Sequence, residues 1–183
     1  WLRSNALLSH GIVQALNDRH GEAEASMSEA VDCLSTNGDS FQWAYALINR
    51  GLQRFYLGNW QGAARDWLAD LDVFIPFLNW RGVAGCVEGA AYLAAQAGKF
   101  EHATRFLSAA ARVREWTGGP LMPQWQKAQQ VTVHEAWEAL GEEFGPAQRA
   151  GASMRFEDAV AEARVLLMEI ATAQPERNGA SNP

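Results

Sequence analysis

The sequence predicts an all-α chain of stacked antiparallel helical hairpins, closed by further helices at its C-terminal end. Three observations predict it. Apolar residues recur at helical spacing almost throughout, and no stretch alternates convincingly as a strand. The chain repeats itself at an offset of 40 residues. A Gly-Gly-Pro break, Gly118-Gly119-Pro120, with a further Pro123, then ends the regularity.

The repeat is visible when residues 50–74 are set over residues 90–114. Gly58 falls on Gly98, Trp60 on Phe100, Ala63 on Ala103, Trp67 on Leu107 and Val73 on Val113. One offset earlier, Gly51 falls on Gly11, Ala63 on Ala23, Trp67 on Met27 and Val73 on Cys33. The small residues mark where the two helices of a hairpin must approach closely. The large residue four positions on (Met27, Trp67, Leu107) fills the space beside that contact. "LGNW" and "AGKF" place Gly just after a helix, where the left-handed conformation costs glycine least. A hairpin of this size cannot bury its apolar face alone, so it stacks on its neighbours.

Helices are accordingly expected near 1–18, 22–35, 40–57, 60–75, 80–97, 100–116, 122–140, 142–149 and 155–172. Residues 1–117 read as three hairpins, 118–172 as C-terminal capping helices, and 173–183 as a flexible tail or linker. The whole reads as one domain cut from a larger protein, because it opens at Trp1 inside helix-like sequence.

A small residue in the first helix with another twelve positions later, as in Gly11/Ala23, Gly51/Ala63 and Ala91/Ala103, resembles the tetratricopeptide repeat. Ala30 and Ala110 fit that family's third small position, seven residues further on, and Asp70 does not. Residues 78–163 more specifically resemble the C-terminal repeat domain of large bacterial LuxR-type and related signal-transduction ATPase transcriptional regulators. The resemblance rests on Arg81-Gly82, Glu88-Gly89, Gly98, Ala103, Arg114-Glu115, Gly118, Pro120 and Pro123. It continues through Leu140-Gly141-Glu142 and Phe156-Glu157-Asp158-Ala159, but "AQRAGASMRFEDA" departs from the family's usual closing segment. It implies a tetratricopeptide-like α-α superhelix acting as sensor, autoinhibitory segment or partner-binding platform. ATP would then be expected only on an upstream nucleotide-binding switch domain, with a DNA-binding or other effector domain at one end. It also implies a cytoplasmic bacterial protein.

Composition and motifs narrow the function by exclusion. A formal net charge of −6 over 183 residues argues against direct nucleic-acid binding. No apolar run reaches the roughly 18 residues of a membrane span. Cys33 and Cys86 sit on apolar stripes and read as reduced, buried thiols rather than zinc ligands. "AGKF" lacks the earlier Gly and the Ser or Thr of a phosphate-binding loop, and "HEAWE" from His134 replaces the second His of a zinc helix by Glu138. No acid, base and nucleophile converge, so the expectation is a non-enzyme with no catalytic residues, no metal and no cofactor in this chain. Trp60 and Trp67 occupy repeat positions and are expected in the core. Trp43, Trp80, Trp116, Trp125 and Trp137 are freer to act as exposed binding anchors.

A binding groove is expected on the face lined by the first helix of each hairpin. Tyr45, Asn49, Gln53 and Tyr56 share a stripe of the second unit. Asn5 and Ser9 hold that register in the first unit and Gln96 in the third, with Glu88 and Tyr92 on the adjoining stripe. Arg50, Arg54 and Arg81 bring positive charge nearby, with Asp66 and Asp70 within reach of the first two. Such a surface suits a protein or peptide partner, other domains of the parent chain, or a small-molecule inducer. Homo-oligomerisation as a scaffold, and a free-standing repeat adaptor binding a peptide or metabolite, are the alternatives.

Overall fold

The computed structural model describes residues 2–37 and 39–173. The expected tail therefore lies, but for Ala173, outside the described residues. The elements are α1 (Leu2–Leu16), α2 (His20–Asn37), α3 (Ser40–Tyr56), α4 (Trp60–Phe74), α5 (Trp80–Gln96), α6 (Phe100–Thr117), α7 (Pro123–Leu140), α8 (Phe144–Ser153) and α9 (Phe156–Thr172), with one 3₁₀ turn, Gly141–Glu143, before α8. No strand occurs among the described residues. Consecutive helices pair as α1·α2, α3·α4 and α5·α6, and these hairpins stack through α2·α3 and α4·α5. The all-α hairpin stack read from the sequence is the one observed.

The backbone shows a finer period than the sequence does. Left-handed residues follow α1, α3, α4, α5 and α6 at Asp18 (φ 57°), Gly58 (74°), Leu78 (53°), Gly98 (71°) and Gly118 (65°). Each sits at a multiple of 20 from the others. At each one the same pair of turn hydrogen bonds closes the helix, as in Gly98 N–H to Ala95 O and Lys99 N–H to Ala94 O. The starts of α3, α4 and α5 keep the same spacing. They are capped by Asp39, Asn59 and Asn79, whose side chains accept from the amides of Gln42, Gly62 and Gly82. Helix plus turn is thus a 20-residue unit, and two units make the 40-residue hairpin.

Packing inside each hairpin follows the small-against-large rule. A Cβ at Gly11 would lie 2.9 Å from the Met27 side chain, and one at Gly51 would lie 2.6 Å from the Trp67 indole. A Cβ at Gly89, on the next hairpin, would also meet that indole, at 2.5 Å. Trp67 therefore threads between α3 and α5 through a gap that two glycines leave open. Its Nε1–H donates to Ile48 O at 3.3 Å, so the buried ring carries no orphan donor. Trp60, expected in the core, is instead 41% exposed. It is the first residue of α4, at the end of the hairpin rather than along its packed length.

The C-terminal helices fold back over the stack. α8 lies against α6, so close that a Cβ on Gly151 would sit 2.3 Å from Arg105 O. α7 runs across the face of the first helices, touching α1, α5 and α6. α9 packs against α4, α5 and α6 through Ala159, Ala163, Leu166 and Leu167. Arg164–Asp72, Arg105–Glu162 and Lys99–Glu169 ion pairs border that contact. α5 is left enclosed on all sides: every residue from Val83 to Ala95 is buried.

Candidate functional site

The expected groove face carries α7. Gln124 Nε2 donates to Asn49 Oδ1 at 3.3 Å, and Tyr45 Oη lies 3.7 Å from Met122 Sδ. Trp125 packs against Trp67 and Tyr92, with ring centroids 6.2 and 6.0 Å away. Lys127 reaches Asp18 at 2.7 Å near the other end of the face. Tyr45, Asn49, Gln53 and Tyr56 do share the inner side of α3, as their spacing requires. Gln53 is fully buried and hydrogen-bonds His20 Nδ1 at 2.9 Å, and His20 stacks on Tyr56 with centroids 4.2 Å apart. Gln53 is thus engaged inside the molecule, and the half-buried Tyr56 is covered on one ring face by His20.

Glu88 and Tyr92 do not line an open groove. Both are fully buried. Glu88 pairs bidentately with Arg114 from α6. Burial pushes the Glu88 carboxyl up, against the opposing pull of the guanidinium. Tyr92 packs on Phe55 and Trp125, and its hydroxyl has no hydrogen-bond partner among the described residues. Gln96 is exposed at the end of α5, while on α1 Ser9 is exposed and Asn5 half-buried. None of these three reaches Tyr45 and Asn49 to form one surface with them.

What remains open is a cavity of about 520 Å³ at one end of α7. Its floor is α3 and α5, with Phe41, Tyr45, Ile48 and Asn49 on the first and Arg81, Gly82 and Gly85 on the second. Its roof is the Gly118–Pro123 segment and the first turn of α7, contributing Pro120, Leu121, Met122 and Trp125. Phe74 and Arg114 close the back. The glycines make the room. A Cβ at Gly82 would stand 2.4 Å from the Phe74 ring, and one at Gly85 would stand 2.7 Å from Ile48 Cδ1. Arg81 lies flat on Gly119, where an added Cβ would come within 2.3 Å of its Nε. That contact joins the first turn of α5 to the roof.

Two of the nine expected residues, Tyr45 and Asn49, line this cavity. Arg81, noted for its charge, is a third. Arg114, Leu121, Met122 and Trp125 were not legible as lining residues: Arg114 comes from the partner helix α6, and the other three arrive only when α7 and its tether fold back. One signal pointed that way: α5 is apolar and small-sided all round, which a helix shows when it is covered on every face.

Elsewhere the chemistry is structural. Arg50 and Arg54 both grip Asp66, and Arg54 also reaches Glu24. Asp70 is fully buried with neither carboxylate oxygen partnered, and burial holds its carboxyl well above the usual range. Cys86 is buried and Cys33 half-buried, both as free thiols. Among the described residues no three His, Cys, Asp or Glu side chains group to hold a metal, and no helix is long and apolar enough to cross a membrane. No family model, curated protein or solved structure matches the chain.

Proposed function

We propose that the chain is a non-catalytic sensory module, in which a small molecule held in the α3–α5 cavity sets how α7 is seated. The observation that carries this is the ownership of the walls. The floor belongs to two repeats and the roof to the tether of α7, so an occupant contacts both at once. A cavity of this size, mostly apolar with a few polar groups, is of the usual kind for small ligands. The parent protein is read as a cytoplasmic bacterial transcriptional regulator with an ATP-dependent switch domain. That reading is supported by the resemblance of residues 78–163 to the LuxR-type regulators. In such a parent, α7 would pass occupancy on to neighbouring domains.

A thermal-shift screen of a metabolite library, followed by hydrogen exchange with each hit, tests the proposal. A ligand should raise the melting temperature by linkage and slow exchange across residues 118–140. Hits that leave that segment unprotected, or a library without hits, would sink it.

A second reading, a partner or self-association surface, is favoured by Val133 and Trp137. They stand one turn apart on α7, 38% and 58% exposed. It predicts a mass that rises with concentration, or a partner whose binding Trp137→Ala abolishes. A monomer at high concentration, with partner binding unaffected by that change, would remove it.

A further inference from the structure

We infer that the ligand of the α3–α5 cavity is an amphipathic carboxylic acid, its apolar body against Phe74 and Trp125 and its carboxylate held by Arg81 and the Tyr45 hydroxyl. The inference rests on the proposal that this cavity is the ligand site, and adds the chemical class.

Charge comes first. The charged side chains lining the cavity are Arg81 and Arg114, and no Asp or Glu lines it. Arg114 is already matched by Glu88 behind it, through Nε and Nη2. Arg81 is exposed and has no carboxylate within ion-pair distance among the described residues. The cavity thus presents one uncompensated positive charge in a chain of net charge −6. A cationic ligand would meet that charge with nothing opposite to offset it.

Hydrogen-bonding capacity gives the second, independent argument. The side-chain acceptors at the wall are engaged: Asn49 Oδ1 takes a bond from Gln124, and Asn79 Oδ1 caps Gly82. Donors are in surplus. As a donor the Tyr45 hydroxyl finds only the Met122 thioether, a weak acceptor, at 3.7 Å among the described residues. Burial pushes the Tyr45 phenol up, so it keeps its proton at neutral pH. The guanidinium of Arg81 presents five N–H donors in a fixed fork. A site rich in donors and short of free acceptors fits a group that only accepts, and an ionised carboxylate is such a group. With one unpaired guanidinium, a single negative charge is what the cavity can neutralise.

Isothermal titration with a charge series on one body provides the test: indole-3-acetate, tryptophol and tryptamine, with decanoate as an aliphatic acid. At least one of the acids should bind, with tryptamine failing and tryptophol weaker. Arg81→Gln should weaken acid binding about tenfold, the scale of one charge-assisted contact, while leaving tryptophol unchanged. Tyr45→Phe should weaken the acid less. Both side chains are partly solvent-facing, and a melting curve on each variant checks that the fold is kept. Tryptamine or tryptophol binding as well as the acids, or acid affinity indifferent to Arg81→Gln, would overturn the class. If a neutral or cationic compound binds and protects residues 118–140, the cavity survives as the ligand site and only the acid class falls. A panel in which no acid binds also ends the acid class, leaving the sensory reading to the library screen.

Discussion

The first and second hairpins follow one plan with different parts, and the difference shows where the molecule concentrates its core. In the first, a flexible Met27 lies against Gly11 within a small cluster of Leu8, Ala30, Val31, Leu34, Ala46 and Leu47. In the second, a rigid Trp67 fills a slot between Gly51 and Gly89 and joins the larger cluster that runs through α5 to α9. The same register position is Ala30 in one and an unpartnered Asp70 in the other. A repeat that looks uniform in sequence is therefore uneven in energy. Its middle is clamped by α9 and, through Trp125, by α7, whereas its N-terminal end is met by α7 through a smaller contact with α1.

Truncation should expose that unevenness most. Trp67→Ala should cost ~3–5 kcal/mol, since it opens a cavity between two hairpins and under Trp125. Met27→Ala should cost less, about 2–3 kcal/mol, because the looser first hairpin can collapse around the gap. Urea unfolding of both variants measures the ordering, and equal losses would show the two hairpins to be equally clamped.

Adding a methyl sharpens the same contrast. Gly51→Ala should destabilise by about 1–3 kcal/mol, because the indole facing it cannot bend away. Gly11→Ala should fall below that, since the Met27 chain can swing aside. Reversal of the order in denaturant midpoints would mean that rigidity of the opposing side chain is not what matters.

Replacing Asp70 by Ala makes the second hairpin match the first at that position. Burial raises the Asp70 carboxyl, so the folded chain holds a proton that the unfolded chain gives up. Its contribution is therefore most favourable below the unfolded carboxylate range and is lost as pH rises towards the folded value. Asp66 and Glu88 are shifted in the same direction. Asp70→Ala should stabilise the protein by about 1–2 kcal/mol at pH 8, the scale of removing an unsatisfied buried polar group. It should also flatten the fall in melting temperature between pH 4 and pH 8. A lower melting temperature for the variant at pH 8 would contradict this.

The smallest effect concerns the turns. Leu78 holds φ 53°, where glycine stands at the matching positions 58, 98 and 118. Leu78→Gly should stabilise by about 1 kcal/mol, the left-handed penalty less the added chain entropy. A loss on thermal unfolding would show that the Leu78 side chain contributes more than its 66% exposure implies.

These particulars also show what could be read from the chain. The helices and the 40-residue hairpin were legible because glycine and alanine mark close contacts and helix ends. The 20-residue unit was not, since Asp18 and Leu78 occupy turn positions that glycine would have advertised. Tyr45 and Asn49 could be placed on one face by helical spacing alone. Glu88 and Tyr92 could not be read as buried, because spacing along α5 says nothing of Arg114 on α6 and Trp125 on α7, which engage them. Local geometry is written locally, and the cavity is a product of long-range closure.

The contact between Trp67 and Trp125 has one more consequence. The two indoles are tilted by 43° at 6.2 Å, one rooted in the repeats and the other in α7. Chromophores that near and that oriented share their electronic transitions, so their circular dichroism depends on both staying in place. The protein carries its own optical gauge of whether α7 is seated, readable without a label.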